Sequence, residues 1–400
     1  MDKDFLLKKW DFRWPLMDVL IGGTSSIDMD TLWVRDAADA AIFIKSYGYD
    51  LDDPLEAQKM DRLFVEALFF IQSQLMPKQW LDGNRPPADL LICADMRQLL
   101  LWASNDEVAL KNHQMWACAI LKVMHTISHI DGAAIFLDIE KAKEQIIGRF
   151  EKSLSRDEKG QLWFGAGELK IIVEKVEWKL SKSRSSIILK LLHKPANVAE
   201  TIYDLVGVRI VTKTLSEVLL AIRLLSDDYL VDFPNTHPTR ARNNLIDIHR
   251  FRVDLETFRL LLQAEEMGPE SFQVFMDQLC APPLDREPGN PHSSQKYHSI
   301  QLTCRQRIYG QDRNENCRRQ LARLEETATL NSQAKDLLLE LKQLIKAEKE
   351  WIFFPFEVQI TDKASDQLVE SGEGSHLNYK RQQIRTARRR ILAKILVLDS

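Results

Sequence analysis

The 400-residue sequence has no cysteine pair spaced as CxxC, no internal repeat, no low-complexity tract and no apolar run long enough to cross a bilayer. Its five cysteines, Cys93, Cys118, Cys280, Cys304 and Cys317, are odd in number and scattered. That argues against a disulfide framework and against a zinc site, and it fits a reducing compartment. The opening residues, MDKDFLLKKWDFRW, lack the long apolar core of a secretion signal, so a cytoplasmic location without membrane contact is expected. A strong charge of one sign is missing too: the net charge of -4 excludes a chain that is basic throughout. What is there, 45% hydrophobic and 28% charged residues, is the composition of ordinary globular domains. A chain of this length predicts two or three of them.

From about residue 30 to residue 157 the chain reads as helices, as in DRLFVEALFFIQSQL and KNHQMWACAILKVMHTI. Gly-Asn and Pro-Pro in LDGNRPPADLL mark a turn between two of them. After SRDEKGQLWFGAGE the texture changes. Residues 170–180, KIIVEKVEWKL, alternate like a strand with Ile172, Val176, Trp178 and Leu180 on one face. Further strands are expected at 204–212, at 296–305 and at FPFEVQI, with helical segments between them. The expected fold class is α+β: a mixed β-sheet flanked by helices, preceded by an all-α N-terminal domain. Two stretches read as insertions. One covers about 233–289 and contains HRFRVDLETFRLLLQAEE; the other covers about 306–350 and suits a helical hairpin projecting from the sheet.

Several residue groups could carry chemistry. SKSRSSIILKLLHKP follows the first strand, and Ser185 or Ser186 is a natural N-cap for the helix it opens. Unpaired first-turn amides with Lys182 and Arg184 beside them, and Lys190 further on, would make a phosphate site. An ordinary strand-loop-helix connection with surface cations is the alternative. Asp204 and Glu357 both stand at strand ends, and they would supply the two carboxylates that Mg²⁺ favours if their strands are neighbours. In EVQITD, Val358 and Ile360 point one way while Glu357, Gln359 and Thr361 point the other. Glu370, Gly372, Gly374, His376, Tyr379 and Lys380 fall in one short span, with His376 and Lys380 a helical turn apart. Residues 380–394 hold seven basic residues and no acid. At helical spacing Ile384, Ile391 and Leu392 face inward and Arg381, Arg385, Arg388 and Arg389 outward, giving either a solvated helix or an RNA-facing surface. His125 and His129 also share a helical face, with Asp131 and His113 nearby in sequence, although a histidine pair on an apolar helix is usually structural.

In chain order the pieces S-I-x-x-K, D-L-x-G-x-R-I, Y-x-S-I, E-V-Q-I and E-x-G-x-x-x-H-x-x-Y-K resemble the synthetase domain of RelA/SpoT-type alarmone synthetases. Here they are Ser186-Ile187 with Lys190, Asp204 to Ile210, Tyr297 with Ser299-Ile300, Glu357 to Ile360, and Glu370 with Gly372, His376, Tyr379 and Lys380. The resemblance covers about residues 166–392, leaving a helical domain at 1–165 and a tail at 393–400. It implies a nucleotidyltransferase-like sheet and a Mg²⁺-dependent transfer of pyrophosphate from ATP to the ribose 3'-hydroxyl of GDP or GTP. It implies Asp204 as a metal ligand, and Glu357 as a second ligand or as the base. Lys182, Arg184, Lys190 and Arg209 would hold ATP phosphates, Tyr297 would stack on the acceptor base, and Gln359, His376 and Lys380 would serve the acceptor side.

The sequence also departs from the family's pattern. Leu180 stands where the family carries arginine, Gln301 where it carries histidine, and Thr361 where it carries a second arginine. A different acceptor, either the 3' end of a tRNA or an adenine nucleotide, therefore stays open, as does a nucleotide-binding protein without catalysis. RNA contact through the arginines of 380–394 suits the tRNA reading. The adjacent His-Asp pair that marks the hydrolase domain of long family members is absent, so a regulatory or docking role is expected for the N-terminal domain. Self-association is left open.

Overall fold

The computed structural model describes residues 13–76, 85–133, 136, 138–179, 183–194, 202–279, 298–310, 314–327, 332–345, 351–371 and 376–396. The protein is α+β, and its sheet is mixed and seven-stranded, flanked by helices. Two compact units divide the chain, and neither is continuous in sequence. A helical unit takes Met1–Ala133, Lys182–Ile202 and His376–Ser400, and a sheet unit takes Ala134–Ser181 and Tyr203–Ser375. This division differs from the expected one at residue 165. Residues 134–165 go with the sheet because they contribute two of its strands, and 376–392 goes with the N-terminal helices because it packs among them.

In the helical unit the central element is Lys111–Gly132, 22 residues long. Trp116, Ile120, Val123, Ile127 and Ile130 recur at helical spacing along it and are all buried. Pro54–Phe70, Met96–Ala103, Arg184–His193 and His376–Leu392 pack around it. The helix ends are specified locally. The Asp36 carboxylate accepts from the amides of Ala38 at 3.0 Å and Asp39 at 2.9 Å to start Ala37–Tyr47. Gly48, at φ +113°, ends that helix in the left-handed conformation that glycine adopts most easily. Among the described residues no helix is long and apolar enough to cross a membrane.

The strands of the sheet unit are β1 (Leu154–Arg156), β2 (Leu162–Phe164), β3 (Ile171–Lys179), β4 (Gly207–Thr212), β5 (Arg242–Asn243), β6 (Ile300–Tyr309) and β7 (Trp351–Asp362). Their order is β1-β2-β3-β4-β7-β6-β5. Every neighbouring pair is antiparallel except β4 and β7, which run parallel with Gly207 opposite Glu357 and Thr212 opposite Asp362. One face is apolar, with Trp178, Val208, Ile210, Phe356, Val358 and Ile360, and the helices Ile139–Glu151 and Leu215–Asp227 pack against the sheet. Phe150, fully buried, meets the rings of Trp178 and Phe356 edge-on, at centroid distances of 5.5 and 6.2 Å. A reciprocal cap between Thr214 and Glu217 fixes the start of Leu215–Asp227.

Strand β3 corrects one expectation. An irregularity between Val173 and Lys175 gives β3 an extra residue against β4, which reverses the side-chain phase of its first half. Val173, not Ile172, therefore shares the apolar face with Val176 and Trp178; Leu180 lies outside the described residues. Strict alternation cannot register a bulge.

The expected insertion at 233–289 supplies edge strand β5 and the helices Ile248–Gln263 and Pro269–Leu279, whose Phe258 and Phe275 rings stack at 4.8 Å. At the second insertion the sheet runs further than expected, since 306–309 still pair with 351–354. The helices Glu315–Thr327 and Ser332–Leu344 follow, joined by an ion pair of Lys342 with Glu325 at 2.5 Å. The Phe150 contacts set a direct check on the apolar layer. Phe150→Ala is expected to lower unfolding free energy by about 3–5 kcal/mol in urea denaturation, and a loss below about 1 kcal/mol would contradict this packing.

Candidate functional site

Pairing of β4 with β7 sets Glu357 opposite the first residue of β4, Gly207, which follows Asp204 by three residues. Asp204 lies just before β4, and two residues on, the carbonyl of Val206 accepts the Glu357 amide at 3.0 Å. The face opposite the apolar layer is polar, and the register sets its rows. One row reads Lys179, Gly207, Glu357 and Thr303; the next reads Glu177, Arg209, Gln359 and Gln301. Gly207 carries no side chain, so nothing of β4 stands between Lys179 and Glu357 on this face.

Hydrogen bonds along these rows hold Glu357 in one orientation. Gln301 Nε2 donates to Glu357 Oε2 at 2.5 Å, and Gln359 Nε2 donates to Glu357 Oε1 at 2.7 Å. Lys179 Nζ donates in turn to Gln359 Oε1 at 2.5 Å. Each carboxylate oxygen thus accepts one amide N–H and keeps further acceptor capacity. Gln359 itself is buried. The arrangement can present a fixed carboxylate to a hydroxyl or a cation, with a lysine one residue removed from it.

A second cluster on the same face is closed upon itself. Asp366, from the helix Lys363–Ser371, meets Arg209 at 2.7 Å and Lys175 at 2.8 Å, and Glu177 meets Lys175 at 3.0 Å and Arg209 at 3.9 Å. Two cations face two carboxylates, with the Arg209 and Asp366 side chains 11% and 5% exposed. Arg209, expected on a phosphate, has its charge matched here. The residues Thr361 and Asp362 are likewise committed to the fold. The Thr361 hydroxyl donates to the carbonyl of His298 at 2.9 Å, and Asp362 accepts from the Ala364 amide at 3.1 Å to cap the next helix.

The other expected site residues belong to the helical unit or lie outside the described residues. Ser183, rather than Ser185 or Ser186, caps Arg184–His193 by accepting from the Ser186 amide. Arg184 is the first helical residue, and its guanidinium is taken by Glu66 at 2.5 Å and Asp131 at 2.7 Å. Burial lowers and these two acids raise its pKa, with the acids prevailing. Lys190 sits in the last turn, seven residues and so about 10 Å along the axis beyond the cap. Lys182 and Tyr297 fall outside the described residues, as does the side chain of His376, while Lys380 is half-buried on His376–Leu392.

On that helix Arg381, Arg385 and Arg389 are exposed as expected, and Ile391 and Leu392 are buried. Arg388 differs from expectation. Its Nε donates to the Leu75 carbonyl at 2.6 Å, and burial lowers its pKa, because the helix turns it toward its neighbours rather than to solvent. The histidines of the helical unit bond to protein groups. His113 contacts Asp89 at 2.9 Å, and His125 contacts the Tyr47 hydroxyl at 2.8 Å with its ring 4.3 Å from that of His129.

Sequence reasoning passed over Lys179 and Gln301 as working residues, since only the register reveals that they flank Glu357. It also missed a stack next to Asp204. Arg240 lies 4.8 Å over the Tyr203 ring, which His237 meets at 5.3 Å. No local pattern links residues that far apart. Comparison of the chain with protein-family models, with curated proteins and with solved structures finds no match.

Two measurements follow from these contacts. Asp366→Ala leaves Arg209, 11% exposed, with only the more distant Glu177 and is expected to destabilise by about 2–4 kcal/mol, whereas Lys363→Ala, which breaks an exposed pair with Glu174 at 2.8 Å, should change stability by less than about 1 kcal/mol. Equal effects in urea denaturation would contradict the closed cluster. For His125, burial and then the His129 charge push the pKa from 6.5 down to about 4. Between those values the unfolded chain binds a proton that the folded chain refuses, so stability present above pH 6.5 is lost as pH falls toward 4. The wild type should lose about 2 kcal/mol more than His125→Leu between pH 7 and pH 5; identical pH dependence would contradict a buried neutral imidazole.

Proposed function

We propose that the chain is a Mg²⁺-dependent pyrophosphate transferase of the alarmone-synthetase type, moving pyrophosphate from ATP to the 3'-hydroxyl of GDP or GTP. The finer reading of the fold, a nucleotidyltransferase-like synthetase sheet in a chain that also has a regulatory or docking helical unit, belongs to the same proposal. The observation that supports it is the β4–β7 pairing, which sets an oriented Glu357 opposite Gly207, three residues after Asp204 in the segment that leads into β4. The donors fit a magnesium site used with a nucleotide. Glu357 keeps acceptor capacity on both oxygens, and Asp204 would be the second carboxylate of the pair that Mg²⁺ favours. Asp204 and Glu357 would hold the ion, whose charge offsets that of the phosphate oxygens.

In this reaction the acceptor 3'-oxygen forms a bond to the β-phosphorus of ATP, the bond from that phosphorus to the α–β bridging oxygen breaks, and AMP leaves with the electron pair. Glu357 takes the proton from the attacking hydroxyl. Gln301 and Gln359 fix the carboxylate in advance, so no reorganisation is needed when the hydroxyl arrives. Lys179 adds positive charge through Gln359, its side chain passing over Gly207, which has no side chain to block it. Arg209, Lys175, Glu177 and Asp366 hold β3, β4 and the helix Lys363–Ser371 together rather than touching substrate.

An RNA acceptor is the second reading, favoured by the exposure of Arg381, Arg385 and Arg389 along one helix. Incubation of the full chain with Mg²⁺ and γ-labelled ATP separates the readings. Label is expected on GDP or GTP with release of AMP; label on tRNA instead would establish the second reading, and nucleotide binding without any transfer would overturn both. Asp204→Ala and Glu357→Gln should each lower kcat by at least about 100-fold, and Gln301→Ala by about ten-fold. Normal turnover by Glu357→Gln would refute the site.

A further inference from the structure

The helical unit encloses a cavity of about 510 Å³, within the range of small-molecule sites. Its walls come from five helices and from a strap over residues 26–34, a short helical turn at Ser26–Asp28 that runs into irregular chain. The strap is tied down, since the Leu32 amide donates to the Ala103 carbonyl at 3.1 Å and the Val34 amide to the Ser104 hydroxyl at 2.9 Å. Most of the lining is apolar, including Leu16, Met60, Leu63, Leu100, Leu121 and Met124.

The polar groups on the wall are matched within the protein, with one exception. Tyr47 bonds His125 at 2.8 Å, Tyr49 bonds Ser128 at 2.7 Å, and Thr31 accepts from Gln114 at 3.1 Å. The Cys118 thiol is directed to the Asp30 carbonyl at 3.4 Å, and Arg13 lies 5.7 Å over Trp33. Lys122 is different. Its side chain is only 10% exposed, and the carboxylate nearest to it, that of Asp30, is 3.7 Å away and 53% exposed. Asp30 is already held by Lys394 at 2.9 Å. Two lysines thus share one acid, and the buried one lacks a close carboxylate. Desolvation lowers the Lys122 pKa, against the pull of Asp30.

We propose that this cavity binds a carboxylate with an extended hydrocarbon body, the carboxylate pairing with the Lys122 ammonium. A charge-assisted bond would give the buried cation a closer partner than Asp30, which it shares with Lys394, and the hydrocarbon would cover the apolar wall. A neutral chain gains only the second contribution, and a cationic amphiphile is repelled. The site is independent of the transfer reaction and stands whether or not that activity is found.

Dodecanoate, dodecanol and dodecyltrimethylammonium, each below its micelle threshold, test it by titration calorimetry on the full chain. One dodecanoate per chain is expected, bound at least ten-fold more tightly than dodecanol, with the cation not bound. Lys122→Met, which replaces a buried charge by an apolar side chain of similar length and so keeps the fold, should bring dodecanoate and dodecanol to equal affinity. Leu121→Trp should weaken both by filling the cavity; where that variant fails to fold by circular dichroism, the Lys122→Met comparison decides alone. Dodecanoate binding no tighter than dodecanol on the unaltered chain, or a preference that survives in Lys122→Met, would overturn the proposal.

Discussion

Everything distinctive about the sheet unit depends on the parallel contact between β4 and β7. These strands are joined by well over a hundred residues of chain, and they are the only parallel neighbours among the described strands. A parallel pair is reached by a crossover, which here includes the capped helix Leu215–Asp227 packed against both strands. Once the pair forms, the Glu357 amide donates to the Val206 carbonyl just ahead of β4, and the two-residue period of β7 sends Glu357 and Gln359 to the polar face together. A slip of one residue would bury both and expose Val358 and Ile360, so the apolar layer enforces the geometry of the polar one.

The polar face is divided by function as well as by register. One cluster, Arg209, Lys175, Glu177 and Asp366, is charge-matched, two cations against two carboxylates. The other, Lys179, Gln359, Glu357 and Gln301, is a chain of hydrogen bonds that ends on a carboxylate with acceptor capacity left. The first holds strands together; the second holds one side chain still. Such a contrast is what separates a structural ion cluster from a site prepared for a ligand.

Much of this was legible in the sequence, and the failures have physical causes. The helices and four principal strands announced themselves by period, and Asp204 and Glu357 stood out as acids at the mouths of apolar strands. The bulge in β3 was invisible to alternation, which misassigned Ile172. Arg184 and Arg209 looked available because their partners, Glu66, Asp131 and Asp366, are distant in sequence. Gln301 looked like a loss where relatives of the resembled family carry histidine, yet its amide is one of the two that orient Glu357. Thr361 looked like a missing arginine, and its buried hydroxyl instead ties β7 to the segment before β6.

The central claim is that Asp204 and Glu357 act as a pair on one divalent ion. Electron paramagnetic resonance of Mn²⁺ with a non-hydrolysable ATP analogue, titrated against the full chain, reads that pairing without requiring turnover. The account predicts that Asp204→Ala and Glu357→Ala each weaken Mn²⁺-nucleotide binding by about ten-fold or more, and that the double variant loses little beyond either single one, as expected of two ligands to one ion. Unchanged Mn²⁺ affinity in both single variants would contradict it.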